Sequence, residues 1–326
     1  MLDVAVIGAG LAAIAAGREL QKQGLQVALF DKSRGVGGRL ATRRINNIHF
    51  DHGLPSWQPA GEWTTRLTGE LLTEEILQPW RKATSSSNDP QTWQTLTPIT
   101  IYAAAEGMTA IAKYLAQALT IHRGLRLENL TQQTDHWQLT FDDLSSQTAK
   151  AVILAVPCPQ AIALLQNLCS SDTTQTLAQI TYEPAFSLML VYGQPLACEF
   201  PWQELQLTHH PIFQTISFDG QKRSPQAQTL VVQTNANFSR EYLETDDPDA
   251  ITKRLIAEIA TILSLPLPEV SQLHRWRYAF SDKILGATHL NIPTTLPLIA
   301  CGDWCLGNGI EGAIASGLGA SQALLS

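Results

Sequence analysis

Residues 2–7 form a short, almost wholly apolar run halted at Gly8, the pattern of a strand buried on both faces. Residues 11–23 have helical composition and stop at Gly24; residues 25–30 are a second apolar run ending at Asp31. The chain therefore opens on a β-α-β unit. Residues 32–56, rich in Gly and Arg and without sustained periodicity, read as an ordered loop. A helix is expected over 70–77, a polar surface loop over 85–90, and a helix over 109–119 behind Gly107. Residues 126–129 and 137–141 suit a short antiparallel pair, and 151–156 form another buried strand halted at Pro157. Strand-like runs then alternate with turns at 186–192, 212–218 and 230–234. A helix follows at 249–263, then a strand at 298–301 and a last helix at 310–325. No internal repeat is visible.

Strand–helix elements at both ends, with a strand-rich middle, predict a discontinuous domain. The expected fold class is α/β: a Rossmann-like domain on a mainly parallel sheet, with a smaller α+β domain on an antiparallel sheet. The first takes residues 1–56, 100–160 and 274–326, the second 57–99 and 161–273. The length of 326 residues suits two such units.

Charged residues are 16% of the chain against 44% apolar ones, which fits a globular protein enclosing a ligand. With 22 Lys+Arg against 29 Asp+Glu the net charge is −7, and no basic block exists, so nucleic acid is not an expected partner. The five cysteines, at 158, 169, 198, 301 and 305, show no CxxC spacing. They indicate neither a disulfide frame nor a zinc site, and a reducing cytoplasmic compartment is expected. The apolar N-terminus lacks the basic flank of a signal peptide, and no stretch reaches the ~20 apolar residues of a membrane span.

Gly8-Ala9-Gly10-Leu11-Ala12-Ala13 is a G-x-G-x-x-A turn between strand and helix, with an acid, Asp31, 21 residues after Gly10. Gly8 permits the turn, Gly10 admits a pyrophosphate, and Ala13 allows close packing of helix on strand. The N–H groups at Leu11 and Ala12 face the phosphates with the positive end of the helix dipole. Asp31 can accept from both ribose hydroxyls. The segment Asp31-Lys32-Ser33-Arg34-Gly35-Val36-Gly37-Gly38-Arg39-Leu40 then points to FAD over NAD: a double-glycine loop can fold back over a long dinucleotide with Arg39 meeting phosphate charge. At the far end, Gly302 and Asp303 follow a strand, so Asp303 suits a ribitol hydroxyl. Ile310, Glu311 and Ala313 open the last helix, whose N–H groups suit the flavin N1/C2 edge.

Together these motifs resemble the FAD-binding pattern of the flavin amine oxidase superfamily, and within it the renalase-like proteins. The resemblance runs through residues 31–42, Ala105-Glu106-Gly107-Met108, the stretch 216–223 ending in Lys222-Arg223, Trp276-Arg277-Tyr278, and residues 298–316. It implies FAD contacts at Ala12, Asp31, Arg39 and Asp303, and an adenine contact from the backbone of Leu127. It also implies hydride transfer from a reduced organic substrate to flavin N5. The acceptor is then O2, giving H2O2, and the substrate an aberrant dihydronicotinamide isomer or an amine, with O2 or a nicotinamide nucleotide as partner. A flavoprotein that binds FAD without turnover is the competing class.

One departure stands out. Such proteins carry Ala-Gln-Tyr after the glycine matching Gly53, beside the flavin; this chain has Leu54-Pro55-Ser56-Trp57. The backbone of 53–56 still suits a flavin contact, whereas Trp57 either offers a stacking surface to substrate or packs into the core. Trp276 and Tyr278, expected on one face of a strand, are either pocket walls or plain core aromatics. FAD is expected to be held non-covalently, with Cys301 an inert buried thiol. No catalytic acid or base is assigned, because hydride loss from a dihydropyridine yields an aromatic cation directly. No metal site is expected from His49, Asp51 and His52. His209 and His210 would point to opposite faces of a strand. Lys222-Arg223 reads as a solvated turn.

Overall fold

The computed structural model describes residues 1–196, 200–223, 228–307 and 309–326; Cys198 lies outside them. One sheet of eight strands is the cofactor-type sheet. Its path is β16 (Leu290–Asn291), β17 (Leu298–Ala300), β10 (Ser146–Leu154), β1 (Leu2–Ile7), β2 (Val27–Asp31) and β7 (Thr120–Arg123). β17, β10, β1, β2 and β7 run parallel. β8 (Leu127–Gln132) and β9 (Trp137–Phe141) pair antiparallel and hang from β10. The strand β1 follows from its composition: Val4 to Ile7 are buried and pair on both sides, so only an apolar run serves there.

A second sheet of seven strands is ordered β15 (Val270–Ser281), β11 (Tyr182–Tyr192), β14 (Gln228–Thr234), β13 (Phe213–Ser217), β12 (Glu204–Leu207), β5 (Leu77–Ser85) and β6 (Ile99–Ala104). Only its β12–β5 pair is parallel. A hairpin of β3 (Thr42–Ile45) and β4 (Ile48–Asp51) lies against this sheet, Phe50 packing with Met189 and Val231. The sequence reading took this segment as loop. Its turn, Asn46-Asn47, has φ of 48° and 64°, the left-handed pair that joins tight hairpins.

The helices are α1 (Leu11–Lys22), α2 (Glu62–Thr73), α3 (Pro90–Trp93), α4 (Thr109–Leu115), α5 (Cys158–Leu165), α6 (Ser171–Ala178), α7 (Ala236–Tyr242), α8 (Pro248–Leu263), α9 (Asp303–Leu306) and α10 (Gly309–Leu325). The helix expected at 70–77 starts eight residues earlier and ends four residues earlier, as α2, and residue 77 begins a strand instead. Sheet membership also moves the expected boundaries. β6 and β15 belong to the second sheet, while Leu165 and Leu177 of α5 and α6 pack in the core on the first. No helix among the described residues is long and apolar enough to cross a membrane.

One cofactor-sheet core lies between β1, α1 and α10, so the first and last helices of the chain are packing partners. They approach at Gly317, where an added Cβ would stand 2.1 Å from the carbonyl oxygen of Ala12. Gly317→Ala should therefore push the helices apart and cost about 1–3 kcal/mol. Gly69→Ala in α2 meets open space and should be neutral or gain up to about 1 kcal/mol. Thermal unfolding of the two apoprotein variants checks this; equal Tm changes would contradict the close crossing.

Candidate functional site

The G-x-G turn is built as its spacing requires. Gly8 has φ of +111°, and an added Cβ would lie 2.5 Å from the carbonyl oxygen of Ala155, where the end of β10 crosses. Asp31 accepts from the N–H of Ala9 at 2.7 Å and of Ser33 at 2.6 Å. These bonds hold its carboxylate beside the turn with lone pairs to spare. The double-glycine loop folds back as expected: the N–H of Gly37 donates to the Ala9 carbonyl at 2.7 Å, and Gly38 lies against Gly10. Lys32 donates to Gln160 at 3.1 Å.

Whether these residues suit a dinucleotide is decided at the start of α1. Gly10 has no side-chain cap to offer, the first turn holds no acid, and a Cβ on Gly10 would meet nothing within 4 Å. A helix N-terminus with uncapped N–H groups and open space before it suits a pyrophosphate. The fit is good. Leu127, the candidate adenine contact, is the buried first residue of β8 and packs with Phe30.

Arg39 and Asp303, expected as separate contacts, are bound to each other. The guanidinium makes two parallel bonds to the carboxylate, at 2.7 and 2.6 Å, and a third to the Ala279 carbonyl at 3.0 Å. This fork ties the N-terminal loop to the C-terminal motif and to β15. Leu40 is buried, and its carbonyl accepts from Thr109 Oγ1 at 2.8 Å. Gly302 donates to Ser316 Oγ at 2.9 Å, which sets the turn into α9. At the start of α10, Ile310 and Ala313 are half-buried. The Glu311 carboxylate faces α2, accepting from the N–H of Trp63 and Thr64 and from the Thr64 hydroxyl at 2.7–3.1 Å. Only the backbone of Glu311 is left for a cofactor.

The loop at 53–57 differs from expectation. Leu54 donates its N–H to the Arg39 carbonyl at 2.8 Å, so the loop does pack on the arginine segment. Trp57, however, is fully buried, its indole N–H donating to Thr68 Oγ1 at 2.7 Å. It is core and presents no stacking surface, because Trp57 and Tyr102 pair through both backbone bonds and turn the ring inward. Ser56 is buried too, bonded to Glu204 Oε1 at 3.0 Å. Gly53 and Leu54 alone of these five residues keep partial exposure.

Lys222 and Arg223 are not a solvated turn. Lys222 is buried, donating to Asp219 at 2.7 Å, to Asp51 at 3.2 Å and to the carbonyl of Pro55. Arg223 bonds the same two carboxylates. Burial works against the charges of Asp51, Lys222 and Arg223, yet Lys222 and Arg223 hold the Asp51 carboxyl below its usual range, and the carboxylates hold Lys222 above its own. Asp51 is thereby consumed, and among the described residues no group of three or more potential ligands is placed to hold a metal ion. His209 and His210 lie outside any strand, one exposed and one buried.

Trp276 and Tyr278 take different neighbours. β15 carries two extra residues between Trp276 and Phe280, which breaks the expected alternation. Tyr278 stands edge-on to Tyr182. Trp276 stacks on His52 with centroids 5.3 Å apart, meets His274 edge-on at 4.5 Å, and donates its N–H to the His52 carbonyl at 2.8 Å. Gln233 donates to the Gly53 carbonyl at 2.5 Å. The sequence reading weighed His52 only as a metal ligand and did not single out His274 or Gln233. The available signal for these two was polar residues inside strands, Gln233 among valines above all. Burial first, then the neighbouring His274 and Arg43, pull His52 down to about 3; burial and Arg43 pull His274 down to about 4.

A family model of flavin-containing amine oxidoreductases matches residues 80–325, and a model of NAD(P)-binding Rossmann-like domains matches residues 6–71. The chain belongs to the flavin-containing amine oxidoreductase family. Renalase of Mus musculus is 26% identical over 349 aligned residues, spanning 99% of both chains. A solved putrescine oxidase, wild type with putrescine bound, shares the fold with a TM-score of 0.74 at 15% identity over 99% of each chain. The protein is a flavin-dependent oxidoreductase, and FAD is its cofactor.

Two expectations follow. Asp31→Ala removes hydrogen bonds to a charged group, worth about 1.5–3 kcal/mol. Its apoprotein should bind FAD roughly ten- to a hundredfold more weakly in a flavin titration; unchanged affinity would separate Asp31 from the cofactor. The histidines give a pH dependence. In the unfolded chain both take a proton near pH 6.5; in the folded protein they do so only at about 3 and about 4. The unfolded state therefore binds more protons in between, so stability is full above about pH 6.5 and falls as pH drops toward 4. Urea unfolding at pH 7.5 and 5.0 should show this loss, and a His52→Gln, His274→Gln double variant should lose less.

Proposed function

We propose that this protein oxidises a small, planar, reduced heterocycle of the dihydronicotinamide type by hydride transfer to non-covalently held FAD, with O2 as acceptor. Bound FAD supplies the two-electron chemistry by accepting the hydride at N5 and passing the electrons on. In this reading the uncapped start of α1 holds the pyrophosphate, Asp31 the adenosine ribose, and Asp303 with Arg39 the ribitol side. The first turn of α10, at Ile310 to Ala313, faces the pyrimidine edge, where negative charge grows. The burial of Cys158, Cys301 and Cys305, whose thiols are all pushed above their usual value, supports a non-covalent cofactor.

One observation carries the choice of substrate. Among the described residues the four buried carboxylates each have a cationic partner: Asp51 and Asp219 have Lys222 and Arg223, Glu204 has Lys82, and Asp303 has Arg39. His52 and His274 stay neutral at working pH. An alkylammonium finds no unpaired buried carboxylate to hold it and no base of useful strength to take its proton. A neutral dihydropyridine needs neither, since losing hydride leaves an aromatic cation with no proton to remove. The end-to-end similarity to renalase supports the same reading. A second reading, oxidation of an amine, is favoured by the family match and by the fold shared with putrescine oxidase.

Anaerobic stopped-flow mixing separates the two. Reduced nicotinamide isomers should bleach the flavin absorbance in a single turnover, while primary amines and polyamines should leave it oxidised. Bleaching by amines alone would overturn the proposal.

A further inference from the structure

The cluster beside Gly53 contains one charge without a counter-charge. Arg43, on β3, is half-buried, and among the described residues its side chain makes one bond, from a guanidinium nitrogen to Nδ1 of His274 at 3.4 Å. Among the described residues no carboxylate lies within 4.0 Å of it, whereas Arg39 and Arg223 are both ion-paired; Arg44, next along β3, is exposed and bonds His49, and Arg275 bonds the Thr245 carbonyl and lies over Phe186. A guanidinium has five N–H donors, so most of Arg43's capacity is unspent. Beyond that one contact its neighbours engage each other: His274 meets His52 edge-on at 4.8 Å, and His52 lies against Trp276. A second polar group is left over too. Nδ1 of His52 is buried without a hydrogen-bond partner, on a residue only 5% exposed. The corner thus offers a ring-stacking platform, two neutral imidazoles and one accessible cation. That set matches a planar ring carrying an anion, because guanidinium binds phosphate through parallel N–H bonds.

We infer that Arg43 is the anion-recognising residue of the substrate site, selecting a phosphate-bearing ring substrate over its uncharged counterpart. This rests on the hydride-donor reading above and adds the substrate's charge to it. A cation at this point attracts a phosphate ester while the neutral rings beside it hold the heterocycle. The protein's net charge of −7 opposes anions elsewhere on its surface, so local recognition must come from a positioned cation.

The test uses holo-protein and two probes that differ only by a phosphate, nicotinamide mononucleotide and nicotinamide riboside, titrated calorimetrically at low salt. Wild type should bind the mononucleotide at least tenfold more tightly than the riboside. In Arg43→Gln this ratio should fall to near one, and Arg43→Lys, which keeps the charge but not the fork, should restore part of it. An unchanged ratio in Arg43→Gln, or equal weakening of both probes, would assign Arg43 to packing and overturn the proposal. Anaerobic flavin reduction keeps the two claims apart. If neutral dihydropyridines bleach the flavin but no phosphate preference exists, the hydride reading stands and the Arg43 proposal falls. If the phosphate preference depends on Arg43 but no dihydropyridine bleaches the flavin, the anion site stands and the hydride reading falls. Binding of neither probe overturns the anion site outright.

Discussion

Asp51 is the point through which the two sheets hold each other. Its carboxylate accepts from Thr42 of its own hairpin at 2.7 Å and from the N–H of Met108, just before α4 in the cofactor half, at 2.9 Å. It also takes Lys222 and Arg223 from the turn between β13 and β14 of the other sheet. Removing four charges from water costs several kcal/mol per ion, and only their mutual attraction plus full hydrogen bonding offsets that. Such a cluster adds little net stability over an apolar plug of the same size. What it adds is direction. Two carboxylates and two cations satisfy one another in very few arrangements, so the hairpin, α4 and the β13–β14 turn dock in one register. The carbonyl of Pro55, bonded to the same lysine, carries that register into the loop beside the site.

The first β-α-β unit was legible because its strands are buried on both faces and its turn needs glycines; few other sequences satisfy those demands together. The strand β5 was hidden. Its buried residues Leu77, Trp80 and Ala83 recur every three positions, with Pro79 among them, so the period of a strand is absent from its sequence. The hairpin at 42–51 was hidden for another reason: its strands are four residues each and mostly half-exposed, too short to show any period. Lys222-Arg223 looked solvated because a sequence shows charges but not their partners. Here the partners stand three and four residues back at Asp219 and 171 or more residues away at Asp51.

The candidate site shows the same division. Glycines and the helix start were readable, since their role is local. Which side of the 53–57 loop faces the cofactor was not, because the pairing of Trp57 with Tyr102 decides it. Burial of Ser56 and Trp57 leaves Gly53 and Leu54 as the partly exposed residues of this loop, next to the rings of His52, His274 and Trp276.

The meeting of α1 with α10 also fixes an order of events in the life of the chain. On the ribosome β1 and α1 emerge first, while β17 and α10 emerge last. At about 5–20 residues per second that leaves the N-terminal unit roughly 15–60 s without its final neighbours. The seven-stranded sheet is complete once Ser281 has emerged, before α9 and α10 exist. A nascent chain can therefore present a finished second sheet and a finished first strand–turn–helix unit before the last helix that packs on α1 has been made.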